Sequence, residues 1–245
     1  MSQFTPSAYT AATTELRSGL ALLDQSAARL ESALESALSQ WWVADALADG
    51  LRWCVDRLSE LARATATRIR ELAQGIAAPL RFYFQADDWT DVVASPASVV
   101  AATVAPDALR APLWWSGDAA DRYQQAVAGQ SPAAQQMAEV GRTASRSLAT
   151  CAVAGCAFYL ALGWVVAKLV ATSIAAIGLL GSAVFSWAGL ALVVEQAAVS
   201  AALVSAAVAA LVATQTAAAD AVVEVGAAAG SGTAFPNGVW PRGTA

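Results

Sequence analysis

From Ser147 to Ala219 the chain carries only two charged side chains, Lys168 and Glu195. They divide this stretch into uncharged runs at 147–167, 169–194 and 196–219. Each run reaches the ~20 residues a helix needs to cross a bilayer. The first two are rich in large apolar side chains, including Phe158, Tyr159, Trp164, Ile174 and Leu180. The third is mostly Ala and Val and is a weaker spanner. Gly178, Ser182 and Ser186 form a small-xxx-small ladder that suits close helix packing in lipid. A long buried helix in a water-soluble bundle accounts for the same small residues. Lys168 and Glu195 are expected at loops or interfaces between the runs.

The rest of the chain is differently built. Nearly all of the 14 basic and 19 acidic residues lie before residue 147; after it stand only Lys168, Arg242, Glu195, Asp220 and Glu224. A net charge of -5 disfavours nucleic acid as a partner. The chain has no histidine. That excludes Ser-His-Asp and Cys-His arrangements and histidine-based zinc sites. Cys54, Cys151 and Cys156 form no disulfide framework and read as small buried hydrophobes. The pairs Asp87–Asp88 and Asp118–Asp121 read as helix-capping acids rather than acid catalysts. The expectation is a non-enzymatic protein with no catalytic residues, metal or cofactor.

Residues 6–39 repeat apolar positions at heptad-like spacing: Leu16, Leu20, Leu23, Ala27, Leu30, Leu34 and Ala37. This predicts one long amphipathic helix, with Thr5 as N-cap and Pro6 at its first position. A second stripe follows Trp41-Trp42: Leu47, Leu51, Val55, Leu58, Ala62, Thr65, Ile69, Leu72 and Ile76. It predicts a helix over 43–76, stopped by Gly75 and Pro79. The two form an antiparallel hairpin, each arm roughly 45–50 Å long at ~1.5 Å per residue. Paired tryptophans at its turn suit the closing of a bundle end.

Beyond it, Asp87 and Asp88 are placed to cap a helix bearing Trp89, Val92 and Val93. Pro96, Pro106 and Pro112 break the segment into short pieces or begin new helices. Ser116 or Asp118 caps a further helix whose inward stripe reads Ala119, Tyr123, Ala126, Gln130, Ala134, Met137, Gly141, Ala144 and Leu148, split or kinked at Pro132. The tail from Gly226 reads as loop or disorder. The fold class is all-α: long antiparallel helical hairpins in an elongated bundle, followed by apolar helices. The segments are 1–87, 88–146, 147–225 and 226–245.

Two motifs fall at the hairpin landmarks. Trp115-Ser116-Gly117 marks the second turn, followed by Ala119, Ala120 and Tyr123. Tyr83-Phe84-Gln85-Ala86-Asp87 follows the first hairpin. The former resembles the W-x-G turn, and the latter the Y-x-x-x-D motif, of helical-hairpin proteins exported by type VII (ESX) secretion. Carrying both, the chain resembles a single-chain version of a PE–PPE-like pair. The resemblance covers residues 6–146. It departs from the family at Trp41-Trp42-Val43, which lacks a glycine, and in the long apolar region that follows.

The resemblance implies an export signal at Tyr83, Asp87, Trp115 and Gly117. It implies secretion machinery or a chaperone as partner, and a WXG-type chain or a second copy as a companion. It also implies a secreted or cell-envelope location. No basic and apolar leader opens the sequence, so that export is expected to bypass the Sec route. In such a signal a flexible segment presents Tyr83 and Asp87 against the Trp115 turn, and Gly117 reverses the chain where a Cβ would clash.

The apolar runs also support a resident polytopic scaffold of the inner membrane with a helical cytoplasmic domain. Arg142 and Arg146 precede the runs and Asp220 and Glu224 follow them, which places the N-terminal part in the cytoplasm of an inserted protein. Export of that same part is compatible only with insertion from outside, after secretion.

Overall fold

Every regular element of the computed structural model is helical, among the described residues 5–40, 45–180, 187–230 and 234–242. Helix α1 spans Pro6–Leu38 and α2 spans Asp45–Leu72. Their register is antiparallel: Glu31 meets Arg63, and seven residues earlier Asp24 meets Arg70, seven residues later. The expected stripes face inward. Leu16, Leu20, Leu23 and Leu30 are buried on α1, and Leu51, Val55, Leu58, Ala62, Thr65 and Ile69 on α2. Each large aliphatic buried here stabilises the fold by about 1.5–3 kcal/mol. Thr5 occupies the N-cap position before Pro6, but its side chain makes no capping bond. Trp41, Trp42 and Val43 lie outside the described residues.

A short 3-10 turn, Ala73–Gly75, leads to α3, Ala78–Asp88. It runs directly into a π-helical segment, Trp89–Ala94, and then into α4, Ser95–Thr103. Asp87 and Asp88 therefore sit inside a continuous helix and cap nothing, against expectation. Pro96 does not break the helix either. The backbone N–H of Ser95 reaches back five residues to the carbonyl of Thr90. This wider turn relieves the crowding between a proline ring and the preceding turn. Helix α5 is one turn, Ala111–Trp114, and α6 spans Asp118–Val127.

The last two helices are long: α7, Gln130–Leu180, has 51 residues, and α8, Trp187–Gly230, has 44. The break expected near Pro132 falls just before it, at 128–129, leaving Pro132 in the first turn of α7, where no N–H is needed. Lys168 and Glu195 lie within α7 and α8, not between helices as the charge pattern suggested. The uncharged runs accordingly occupy two helices rather than three, with Gly181–Ser186 outside the described residues.

The chain divides into two compact units, Met1–Ala78 with Ala154–Val212, and Pro79–Val153 with Ala213–Ala245. In the first, α1 and α2 pack with the second part of α7 and the first part of α8. Phe158, Tyr159, Leu162, Val165, Val166 and Leu169 of α7 enter its core, with Ala197, Ser200 and Val204 of α8. Gly19 admits α7 closely: an added Cβ would lie 2.8 Å from Val166 Cγ1. At the end of α2, Tyr159 donates to the carbonyl of Leu72 at 3.0 Å, and Tyr9 donates to the carbonyl of Ile76. The two rings meet edge-on, 6.1 Å apart.

In the second unit the inward face of α6 and α7 is Ala120, Val127, Ser131, Ala134, Ala138 and Gly141. Of the expected stripe, Ala134 and Gly141 are buried as placed, while Ala120, Val127, Ser131 and Ala138 are buried one residue after the expected positions, with Met137 turned outward at 40% exposure. Close approach decides the face. A Cβ at Gly141 would lie 2.9 Å from the backbone nitrogen of Ala94. Ser131 donates to the carbonyl of Ala101 at 2.9 Å, and Arg142 to Ser98 Oγ at 2.7 Å. Where loop or disorder was expected from Gly226, α8 continues to Gly230 and 234–242 is loop with one 3-10 turn, Pro236–Gly238. Phe235 and Trp240 pack at 6.0 Å, and Gln130 Nε2 donates to the carbonyl of Pro241 at 3.2 Å.

Candidate functional site

Tyr83 and Asp87 stand one helical turn apart on α3, so i,i+4 spacing puts them on one face. The segment is helical rather than the flexible stretch expected. Asp87 is exposed and Tyr83 half-buried, its ring edge-on to Phe84 at 5.6 Å. Ala86, one residue before Asp87, is buried.

The second turn begins at Trp114, 89% exposed. Trp115 is extended, at φ -134° and ψ 130°, and its ring packs on Tyr123 at 5.8 Å. Gly117 opens α6 with φ 100° and ψ 179°, a conformation open essentially to glycine alone. Its carbonyl accepts the N–H groups of Ala120 at 2.9 Å and Asp121 at 3.2 Å. Neither Ser116 nor Asp118 caps the helix, because Gly117 holds the N-cap position with no side-chain bond. The expected clash is also corrected: an added Cβ at Gly117 meets nothing within 4 Å, so glycine is required by φ and not by space. Asp118 and Asp121 lie in the first turn of α6, where the helix dipole favours negative charge.

Tyr83, Asp87, Trp115 and Gly117 thus belong to one compact unit. The two motif aromatics each pack on a near neighbour in sequence, Tyr83 on Phe84 and Trp115 on Tyr123.

Among the described residues two helical stretches are long and apolar enough to cross a membrane, Asp118–Leu180 and Ala191–Ala227. They differ in how the fold uses them. The most apolar window of the first is 39% buried, and that of the second only 17%. Leu192, Leu203, Val222 and Val223 of α8 are exposed, as are Leu160, Trp164 and Ile174 of α7. Lys168 of α7 places its ammonium 5.0 Å from the ring centroid of Trp164, within cation–π range. Gly178 is exposed, and an added Cβ there meets nothing within 4 Å. Ser182 and Ser186, its partners in the expected ladder, lie outside the described residues.

Sequence reasoning missed Gly19, and it placed Gly141 on the inward stripe without foreseeing how closely the backbone of Ala94 approaches it. It also missed a groove of about 590 Å³ between α1 and α2. Its one sequence signal was Ser59, a polar residue directly beside the Leu58 stripe position. No family model, curated protein or solved structure matches the chain.

Proposed function

We propose that this chain is a type VII (ESX) secretion substrate whose apolar helices contact a membrane. The observation that carries the export part is the joint placement of Tyr83, Asp87, Trp115 and Gly117 in one unit, with Asp87 and Trp115 exposed. An aromatic and a carboxylate one helical turn apart, with an exposed tryptophan turn, are suited to recognition by a secretion ATPase or chaperone. A WXG-type chain or a second copy is the natural companion on the same reading. The test is export of Tyr83→Ala and Trp115→Ala from a host carrying the secretion system, comparing culture filtrate with cells. Loss of export in both, with the protein still folded in the cell, is the expected result. Undiminished export of both overturns the reading.

The exposure of α8 favours a second reading, a resident membrane scaffold. A helix whose most apolar window is only 17% buried leaves apolar surface that lipid would cover. Carbonate-washed fractionation separates the two: a resident protein stays in the membrane pellet and never enters the filtrate.

A further inference from the structure

The first compact unit has two unlike sides. Its α1–α2 hairpin turns charge outward: Glu15, Arg17 and Arg29 of α1 and Arg52, Asp56 and Arg57 of α2 are all exposed. The outward positions of α7 in the same unit are Ala157, Leu160, Trp164, Ala167, Ala171 and Ile174. They recur at spacings of three and four, so they share one helix face, and none is charged. On α8, Leu192, Val199, Leu203 and Ala206 repeat the pattern. Lys168 and Glu195 are the only charged residues in 154–212. Helix α7 meets α1 at Gly19, and α8 lines a groove with α2 at Thr65 and Arg68. The two apolar helices thus form the side away from the hairpin's charged surface.

The two sides run alongside each other. Tyr9 meets Tyr159 and Gly19 meets Val166, so α1 and α7 point the same way. The Asp24–Arg70 pair stands roughly 8 Å beyond Gly19 along α1, and the Glu31–Arg63 pair roughly 18 Å beyond it. Both are level with the apolar stretch of α7 between Val166 and Leu180. If this packed bundle crossed a bilayer, those ion pairs would pass through hydrocarbon, where charge is strongly unfavourable.

We propose that the first unit lies flat in the surface of a phospholipid bilayer. The outward faces of α7 and α8 are immersed, and the charged α1–α2 hairpin faces water. The proposal rests on the membrane contact read above and adds its geometry. A helix lying in the interface immerses one face and leaves the rest wet, which suits a bundle apolar on one side only. Lipid fits this face because Trp164 carries the ammonium of Lys168 over its ring. An amphipathic ring and a cation on an apolar stem are the side chains that settle at headgroup level. Glu195, exposed on α8, stays within reach of water at that depth.

The test places nitroxide labels on the full-length chain carrying Cys54→Ala, Cys151→Ala and Cys156→Ala. The label sites are Ala157→Cys, Ala167→Cys and Ala175→Cys on α7, and Ser32→Cys on α1. Depth is read from collisions with oxygen and with a nickel chelate, in vesicles of phosphatidylcholine and phosphatidylglycerol. In-plane binding gives the three α7 labels one shallow depth, ~5–10 Å below the headgroups, and leaves the α1 label in water. A crossing helix instead sets the labels at 157 and 175 about 27 Å apart along the bilayer normal, with 167 near the centre. That pattern, or immersion of the α1 label, overturns the proposal while membrane contact stands. No immersion of any α7 label overturns both. Shielding of the α7 labels without vesicles, unchanged when vesicles are added, assigns the face to a second copy and also overturns both. The unsubstituted chain supplies a second measurement, polarised infrared spectroscopy on oriented bilayers. Long helices parallel to the membrane are expected, and helices along its normal overturn the proposal whether or not the labelled variants fold.

Discussion

Tyr159 on α7 donates its hydroxyl to the carbonyl of Leu72 at 3.0 Å, closing the end of α2 from a different helix. The last carbonyls of a helix have no partner within it, and this one is paired by a residue 87 positions away in sequence. Tyr159→Phe keeps the ring and removes the donor. Unfolding by denaturant should show a loss of about 1 kcal/mol, because a half-buried carbonyl loses one of its hydrogen bonds.

Tyr9 does the same for Ile76, and burial, aided by nearby Tyr159, pushes its phenol well above its ordinary value. The sign follows from linkage. Below pH about 10 neither folded nor unfolded chain ionises here, and the stabilisation is whole. Above it the unfolded chain releases the proton first, so stability falls as pH rises. Denaturant midpoints measured across that range should drop less steeply for Tyr9→Phe than for the native chain.

Gly141 and Gly178 both sit within α7 but should respond oppositely to alanine. At Gly141 the new methyl meets the backbone of Ala94 at 2.9 Å, and backbone cannot step aside cheaply. Gly141→Ala should cost about 1–3 kcal/mol. At Gly178 the methyl meets open space, and Gly178→Ala should gain up to about 1 kcal/mol from helix propensity. Thermal melts of the two variants side by side decide the matter.

Gly117→Ala should cost about 1–3 kcal/mol without any steric overlap, since the strain lies in φ 100° itself. A local readout, hydrogen exchange at Ala120 and Asp121, should rise together with the drop in Tm, because both amides depend on the Gly117 carbonyl.

Leu192→Asp combined with Val223→Asp places charge at two exposed apolar positions of α8. Flotation with lipid vesicles should fall strongly while helicity by circular dichroism is kept. Equal flotation would mean that lipid contact is made elsewhere.

The hairpin was legible because Leu and Ile repeat along α1 and α2, and large side chains leave a clear period. The face of α6 and α7 was legible only in part, at Ala134 and Gly141. There alanine, glycine and serine dominate, and a reading that turns the largest residues inward chose Met137 over Ala138, which is 1% exposed. Close approach at Gly141 reverses that preference, and only the packed neighbour, Ala94, shows it. The run of helix through Pro96 was hidden for a related reason: a single i→i-5 turn absorbs the proline, and no composition announces it. At the Tyr83–Asp87 and Trp115–Gly117 motifs, the spacing of Tyr83 and Asp87 was legible. The role of Gly117 was legible as a turn but misassigned to crowding, because φ is not written in residue identity.

Lys168 is the single lysine of the chain, and its amine rests beside an exposed tryptophan on an apolar helix. The molecule therefore carries its own gauge of wetting at that patch. Acylation of one ε-amine, followed over time with and without lipid, reads whether this face of α7 sees water, and it does so with no substitution introduced.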